Sequence, residues 1–170
     1  MSNKLMIFMC SDKATMPKYS TEYSSCFDLH ACLDRPITSI YFSNVELKEV
    51  KTELAVTDEV VLPANSRSLI PTGLKFSIPI NCSVRLHPRS GLSFKNGIML
   101  SNAQGIIDED YYDEVFVSVF NSSQQVQVIK HGDRICQAEL VVDSRCHLVQ
   151  TYDCPMKKSS RAGGFGSTGK

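Results

Sequence analysis

The chain has 170 residues, 42% of them hydrophobic and 21% charged, which is enough for one globular domain with a buried core. Its 18 basic residues balance its 18 acidic residues, so no net charge draws it to nucleic acid or to an anionic membrane. We therefore expect neither as a partner, and any anion must be bound by local donors.

The seven cysteines and four histidines lack the spacing of a disulfide framework or a zinc site. The number of cysteines is odd, no Cys-x-x-Cys pair occurs, and the histidines lie apart. The apolar residues 5–10 are too few for a signal peptide and are a predicted first strand. We expect reduced thiols in a cytosol-like compartment, meaning the cytoplasm or nucleus of a cell, or the host cytoplasm for a viral protein.

Short apolar runs separated by proline and glycine follow one another along most of the chain. The predicted strands cover residues 60–62, 68–70, 74–78, 82–86, 115–120, 126–129 and 135–142. Strands of this length and spacing predict an all-β sandwich, jelly roll or barrel.

Residues 44–54 interrupt this pattern. Leu47, Val50 and Leu54 recur at helical spacing, with charged residues between them. Asn44 stands where it could cap a helix. A short amphipathic helix and a charged β-hairpin are both compatible with the segment, and the helix is the favoured prediction.

Residues 102–121 combine a glycine-containing turn, an acidic cluster and an apolar strand. Gly105 gives the turn a permissive backbone, and Asp108 follows where a turn would lift a carboxylate off the sheet. Residues 115–120 are β-branched and aromatic, which predicts a strand with both faces covered. On spacing alone, a hairpin with solvated acids and a catalytic carboxylate are about equally compatible with this segment.

Arg89, Ser90 and Gly91 follow a predicted strand and form a second polar segment. They offer a phosphate a guanidinium, a hydroxyl and an open backbone. A polar surface turn would have the same composition, so this tripeptide alone does not establish a site.

Two further segments contain single polar residues among apolar neighbours. Asp28 lies between Phe27 and Leu29, so it needs backbone or a cation as a partner. Asp133 and Arg134 are expected to interact locally and hold a loop. Gln137 points into a site or satisfies backbone groups.

Taken together, these segments resemble the ordered motifs of the trimeric dUTPase family. The matching segments are Ser25-Cys-Phe-Asp-Leu29, Pro88-Arg-Ser-Gly-Leu-Ser93, residues 102–114, Gly132-Asp-Arg-Ile-Cys-Gln137 and Arg161-Ala-Gly-Gly-Phe-Gly-Ser-Thr168. The resemblance implies a jelly-roll-like distorted β barrel over residues 1–156, with a short helix and an insertion at about 34–58. Residues 157–170 would be a flexible, glycine-rich C-terminal arm that completes the active site, although the same composition fits simple disorder.

The resemblance implies hydrolysis of dUTP to dUMP and pyrophosphate with Mg²⁺, which keeps uracil out of DNA and supplies dUMP for dTMP synthesis. Asp108 would be the catalytic carboxylate that orients a water for in-line attack on the α-phosphate. The implied phosphate-binding residues are Arg89, Ser90, Gly91, Gln137, Arg161, Gly166, Ser167 and Thr168. The implied uracil and deoxyribose contacts are Asn102, Gly105, Ile107, Tyr111 and Phe165.

The resemblance also implies a homotrimer whose active sites are shared between subunits. No side chain is expected to bind Mg²⁺ directly, and Asp28 would reach the metal region through water. The insertion at 34–58 is expected to be a surface excursion or a packed helix rather than a partner-binding surface.

Two positions depart from the family pattern, since Cys26 and Asp113 stand where a glycine is usual. A related dCTP deaminase would need an acid on the strand at Ser118, and residues 115–120 contain none. A catalytically silent nucleotide-binding module is a further alternative, which the presence of the motif residues disfavours.

Overall fold

The computed structural model describes residues 4–43, 48–54 and 58–160, and within them the backbone forms thirteen β-strands and one short helix. The elements are β1 (Met6–Met9), β2 (Phe27–His30), β3 (Ile37–Ser43), β4 (Lys48–Leu54), β5 (Glu59–Leu62), β6 (Arg67–Pro71), β7 (Leu74–Ser77), β8 (Cys82–His87), α1 (Ser90–Asn96), β9 (Ile98–Leu100), β10 (Gly105–Ile107), β11 (Phe116–Asn121), β12 (Gln127–Lys130) and β13 (Arg134–Val142). The neighbouring strands pair antiparallel.

Two larger sheets carry the described part of the fold. One has the strand order β10-β8-β13-β2, the other has the order β4-β3-β6-β11-β9, and β1-β7 and β12-β5 form two-stranded ribbons. Strands distant in sequence are therefore neighbours in the sheets, as in a jelly roll. The prediction of an all-β, jelly-roll-like fold is confirmed.

The core follows from alternating burial along these strands. Val60 and Leu62 of β5 are buried between exposed neighbours, and Val117 and Val119 of β11 have no solvent exposure. The buried apolar side chains from both larger sheets belong to one continuous cluster. The alternating apolar residues at 74–78 and 82–86, from which strands were predicted, have this same period of two.

The second face of β11 is covered only in part within the single chain. Phe116, Ser118 and Phe120 are half-buried there, whereas the sequence predicts that both faces are covered. Leu69 lies opposite Ser118 and Met99 lies opposite Phe120, and each of these two residues is 41% exposed. The outer face of this sheet is therefore apolar and incompletely covered.

The favoured prediction of a helix at 44–54 is wrong. Lys48–Leu54 is strand β4, which pairs residue by residue with Ile37–Ser43, and β3 in turn pairs with β6. The spacing of Val50, Thr52 and Leu54 also fits a strand. Pairing of seven residues with β3 stabilises that strand, whereas an isolated helix of about eleven residues is only marginally stable. Asn44 and Leu47 lie outside the described residues. The short helix occurs instead at Ser90–Asn96.

The seven cysteines are all free thiols, and three of them, Cys32, Cys82 and Cys136, are buried. Burial raises the pKa of the Cys136 thiol to about 12, so this side chain packs as a small neutral group. Among the described residues, no helix has the length and apolar character needed to cross a membrane.

Candidate active site

A cavity of about 360 Å³ lies where β2, β8 and β13 run side by side. Asp28 on β2 is opposite Gln137 on β13, and Gln137 is opposite His87 at the end of β8. Arg89 follows β8 after Pro88, so three separate sequence segments line the same cavity. These are the segments that contain Asp28, the Arg89 tripeptide and Gln137.

Asp28 holds two guanidinium groups at the wall of this cavity. Its Oδ1 accepts a hydrogen bond from Arg89 Nε at 3.1 Å, and its Oδ2 accepts one from Arg134 Nη1 at 3.1 Å. Ser20 Oγ donates to Oδ2 at 3.3 Å. The expectation that Asp28 pairs with a cation is confirmed. Two guanidinium groups against one carboxylate leave a local excess of positive charge that favours an anion.

Arg134 is a site residue that the sequence reasoning missed. The expected local interaction with Asp133 does not form, because Asp133 Oδ2 accepts the Lys130 amide at 2.8 Å and Arg134 turns to Asp28. Arg134 and Asp28 are separated by 106 residues in sequence. The pairing of β2 with β13 brings them together, and no local sequence signal reports that pairing.

Ser90 and Gly91 line the cavity from the first turn of α1. Arg89 is the residue before this helix, and it provides no side-chain hydrogen bond that would cap the free amide groups of the first turn. A Cβ atom at Gly91 would meet nothing within 4 Å. Glycine is therefore not required here by packing within the chain, and its effect is to leave the backbone open towards the cavity.

Gln137 both lines the site and satisfies a backbone group, two roles that the sequence analysis gives as alternatives. Its side chain lines the cavity, and its Nε2 donates to the carbonyl oxygen of Pro88 at 3.0 Å. This bond fixes the chain just before Arg89. Gln137 therefore shapes the segment that places the guanidinium group.

Asp108 lies away from this cavity. Ile107 pairs with Val84, and Arg89 lies beyond His87, where β8 ends. At about 3.3 Å per residue, the part of β8 from Val84 to His87 alone spans about 10 Å. Asp108 is exposed, and none of the described residues forms an ion pair with it. One chain therefore brings Asp28, Arg89 and Gln137 together without Asp108.

Tyr111 shares the turn of Asp108. Its hydroxyl donates to the carbonyl oxygen of Glu114 at 2.9 Å, and its side chain is partly exposed. Partial burial raises its pKa, and the negative charges of Asp113 and Glu114 add to that effect. The phenol is therefore neutral at physiological pH and available for packing.

Gly105 lets β10 approach β8 closely. A Cβ atom at this position would lie 3.0 Å from Leu86 Cβ, so a larger residue would push β10 away from β8. Ile107 is half-buried at the other end of β10. Asn102 is exposed in the preceding turn, where its carbonyl accepts the Gln104 amide at 2.6 Å. The Asn102 side chain is thus free to meet a ligand.

Neither Cys26 nor Asp113 needs the conformational freedom of the glycine that is usual there. The described non-glycine residues with positive φ are Asn65, Asn81 and Ala103. Cys26 lines the cavity beside Asp28 and Asp113 is exposed in the turn. Both replacements are therefore compatible with an unstrained backbone.

The predicted arm residues Arg161, Phe165, Gly166, Ser167 and Thr168 lie outside the described residues. The stretch before them, residues 144–160, is exposed and belongs to no strand. Leu148 and Tyr152 are more than 90% exposed within it. Among the described residues, no group of three or more His, Cys, Asp or Glu side chains is placed to hold a metal ion.

Comparison with known proteins identifies one family. The family model described as dUTPase matches residues 50–169. A deoxyuridine 5'-triphosphate nucleotidohydrolase of Nautilia profundicola is 33% identical over 98% of this chain and 99% of its own. One of Cytophaga hutchinsonii is 40% identical over 68% of this chain and 74% of its own. The structure of a Staphylococcus bacteriophage 80alpha dUTPase mutant with dUpNHpp superposes with a TM-score of 0.76, at 19% identity, over 99% of both chains.

Proposed function

This chain belongs to the dUTPase family and is a dUTP diphosphatase, and from that premise we propose how its residues bind and cleave dUTP. The reaction forms dUMP and pyrophosphate by in-line attack of a water molecule on the α-phosphate. It lowers the level of dUTP, which keeps uracil out of DNA, and it supplies dUMP for dTMP synthesis. The reduced state of the free thiols suits the cytoplasm or nucleus.

The cavity beside Asp28 is the proposed site of the triphosphate chain. Arg89 provides charge and directional donors, and Ser90 and Gly91 present a hydroxyl and open backbone at the start of α1. Gln137 adds an amide group to the lining of the cavity. The observation that carries this assignment is the pair of guanidinium groups held on one carboxylate, because such a wall attracts a polyanion.

Asp108 is the proposed base that orients the attacking water. Its carboxylate is exposed and has no cationic partner among the described residues, so it is free to accept a proton from water. Two of the neighbouring acids are engaged elsewhere, since Glu109 accepts the Asn81 amide and Glu114 accepts the Gly73 amide. Asp110 and Asp113 are exposed like Asp108, and the position of Asp108 in the family motif is what selects it as the base.

The uracil and deoxyribose are proposed to bind along residues 102–107, which lead to Asp108. Asn102 and the backbone around Gly105 and Ile107 offer donors and acceptors to the uracil edge, and a mismatched base would leave such groups unpaired. The Tyr111 ring packs against the deoxyribose and crowds out a 2′-hydroxyl. Its neutral phenol and partial exposure suit that contact.

The separation of Asp108 from Arg89 supports active sites shared between subunits of a homotrimer. Asp108 follows the residue that pairs with Val84, whereas Arg89 lies beyond the other end of β8, about 10 Å or more along the strand, so one chain holds the two residues apart. The partly exposed apolar face around Phe116, Phe120 and Leu69 offers a surface for a second chain to cover. We assign Asp108 and Arg89 of each site to different subunits.

The C-terminal arm, residues 157–170, is proposed to close the site from a third subunit. Phe165 would stack on the uracil, and the remaining arm residues Arg161, Gly166, Ser167 and Thr168 would hold the γ-phosphate. The exposed stretch 144–160 supports this role, because it belongs to no strand and its Leu148 and Tyr152 side chains are more than 90% exposed.

The polar groups that line the cavity are compatible with a magnesium ion that would be held mainly by phosphate oxygens of the substrate. Both oxygens of Asp28 already accept hydrogen bonds from guanidinium groups, so a water-mediated contact suits this carboxylate better than direct ligation. When bound, Mg²⁺ would neutralise part of the charge of the triphosphate.

The test is pyrophosphate release from dUTP, dCTP, dTTP and UTP, each with and without Mg²⁺. We expect rapid release from dUTP with Mg²⁺, and rates lower by about two orders of magnitude or more for the other three. Ammonia release from dCTP, measured in parallel, would identify a deaminase instead. Binding of dUTP without turnover would indicate a silent nucleotide-binding module and contradict the proposal.

A further inference from the structure

The turn that carries Asp108 and Tyr111 lies between β10 and β11, outside either strand. Within it, the Asp108 carbonyl accepts a hydrogen bond from the Tyr111 amide at 3.1 Å. This bond shapes the turn internally. The position of the turn relative to the sheets depends on its contacts with other segments of the chain.

Glu114 ends this turn as an anchored carboxylate that is only 7% exposed. Its Oε1 accepts the Gly73 amide at 2.7 Å, and its Oε2 accepts Arg35 Nη1. Arg35 is held from its other side by Asp34, whose Oδ1 accepts Arg35 Nε at 2.7 Å. The carboxylate is therefore tied both to backbone and to a guanidinium group with a fixed orientation.

Packing makes the backbone part of this anchor rigid. Gly73 has φ of +70°, and a Cβ atom there would lie 2.7 Å from Ala14 Cβ and 2.9 Å from Cys32 Sγ. Only glycine fits this space and conformation. The amide group that meets Glu114 is consequently held in place by the core around it.

Glu114 also holds Tyr111. The Tyr111 hydroxyl donates to the Glu114 carbonyl oxygen at 2.9 Å, and the following residue, Val115, donates its amide to the Leu74 carbonyl at 2.8 Å. The tyrosine ring is thus connected through Glu114 to Arg35 and Gly73. Any displacement of Glu114 moves the acceptor that holds the ring.

We propose that Glu114, anchored by Arg35 and Gly73, is a positioning residue that fixes the Tyr111 ring and so sets the discrimination between deoxyribose and ribose triphosphates. The proposal rests on the function proposed above, in which this ring crowds a 2′-hydroxyl. Exclusion of a single oxygen atom depends on a closely fixed ring position. A ring that can move back admits UTP while dUTP still binds.

The test is the ratio of kcat/KM for dUTP to kcat/KM for UTP in three variants. Glu114→Gln keeps the side-chain shape and an acceptor for Gly73, but it loses the charge that holds Arg35. Arg35→Met removes the guanidinium group, and Tyr111→Phe keeps the ring but removes its bond to the Glu114 carbonyl. We expect each variant to lower the dUTP-to-UTP ratio about tenfold or more, chiefly through faster hydrolysis of UTP.

Glu109→Gln is the matched control. Glu109 lies in the same turn and accepts the Asn81 amide at 2.6 Å and Arg145 Nη1 at 3.3 Å, without a contact to Tyr111. The Glu109→Gln variant is expected to have the wild-type ratio of kcat/KM for dUTP to kcat/KM for UTP, even if both rates change.

A wild-type ratio in Glu114→Gln and Arg35→Met, in chains that melt at a lower temperature, would show a purely structural role and overturn the proposal. If Glu114→Gln does not fold, a wild-type ratio in Tyr111→Phe overturns it equally. Absence of dUTP hydrolysis by the wild-type chain is a separate result, which contradicts the proposed function itself.

Discussion

The acidic residues between Asp108 and Glu114 show how neighbouring carboxylates acquire different roles from their surroundings. Asp108 is exposed without an ion-pair partner among the described residues, whereas Glu114 is buried on an amide and a guanidinium group. A free carboxylate can orient water, while an anchored one fixes the chain around it. The difference depends on the partners, since the residue types are chemically alike.

Asp108→Asn is expected to retain substrate binding and lose turnover. The amide has the shape of the carboxylate but cannot accept a proton, so kcat should fall by about a hundredfold or more. Single-turnover pyrophosphate release and calorimetric titration with a non-hydrolysable dUTP analogue measure the two properties. Asp110→Asn, at an exposed acid in the same turn, is the control and should leave both unchanged. Weakened binding with an unchanged rate per bound substrate would contradict the role of Asp108.

Asp34→Asn is expected to reduce stability at neutral pH. The hydrogen bonds from Arg35 are the main reason that the pKa of Asp34 falls from 3.8 to about 2. This depressed pKa corresponds to a stabilisation of about 2 kcal/mol that is present above pH 4 and is lost as the pH falls towards 2. Urea unfolding at a single protein concentration should therefore show a difference from wild type at pH 7 that narrows between pH 4 and pH 2.

The exposed Asp12→Asn variant is the control for the Asp34 measurement, because Asp12 has no ion pair among the described residues. It should unfold like the wild type at each pH. A stability difference for Asp34→Asn that stays constant from pH 7 to pH 2 would contradict the electrostatic explanation.

At the scale of elements, most strands were predictable from the sequence, because buried positions along a strand coincide with its apolar residues. The run at 60–62 and the alternation at 82–86 correspond to β5 and β8. The sequence favours a helix where β4 lies, because the spacing of Val50 and Leu54 fits the period of a helix and the period of a strand. The pairing of β4 with β3 decides for the strand. Likewise, the Arg134 contact with Asp28 depends on a strand pairing across the sheet, which local sequence does not encode.

Gly91→Ala is expected to separate the folding of α1 from its binding role. Alanine should raise the free energy of unfolding by up to about 1 kcal/mol, because it favours the helix and a Cβ atom has space there. The same methyl group would stand where the backbone meets the phosphate chain and should raise KM for dUTP by roughly tenfold. Thermal melting and steady-state kinetics measure the two effects.

Lys95→Ala, in the last turn of the same helix, is the matched control because Lys95 does not line the cavity. Its KM should remain at the wild-type value. If Gly91→Ala is stable and binds dUTP as tightly as the wild type, the backbone of α1 takes no part in phosphate binding.

At the scale of the whole molecule, the topology of the sheets determines which residues one chain can bring together. β2, β8 and β13 gather Asp28, Arg89 and Gln137 at one end of β8, while β10 delivers Asp108 towards the other end. Both groups of residues lie on the same four-stranded sheet, so no small loop movement would join them. This separation supports the proposal that a complete site takes Asp108 from a second chain.

Mixing two inactive variants tests this arrangement directly. Arg89→Ala and Asp108→Asn chains, each expected to be inactive alone, are unfolded and refolded together in equal amounts. If a site takes Arg89 from one subunit and Asp108 from the next, random assembly leaves both residues intact in about a quarter of the sites, so about a quarter of the wild-type activity should return. A chain that carries both substitutions, mixed with wild type, controls for assembly. No recovery of activity in mixed assemblies shown to contain both chains would place the two residues in the same subunit and contradict the shared site.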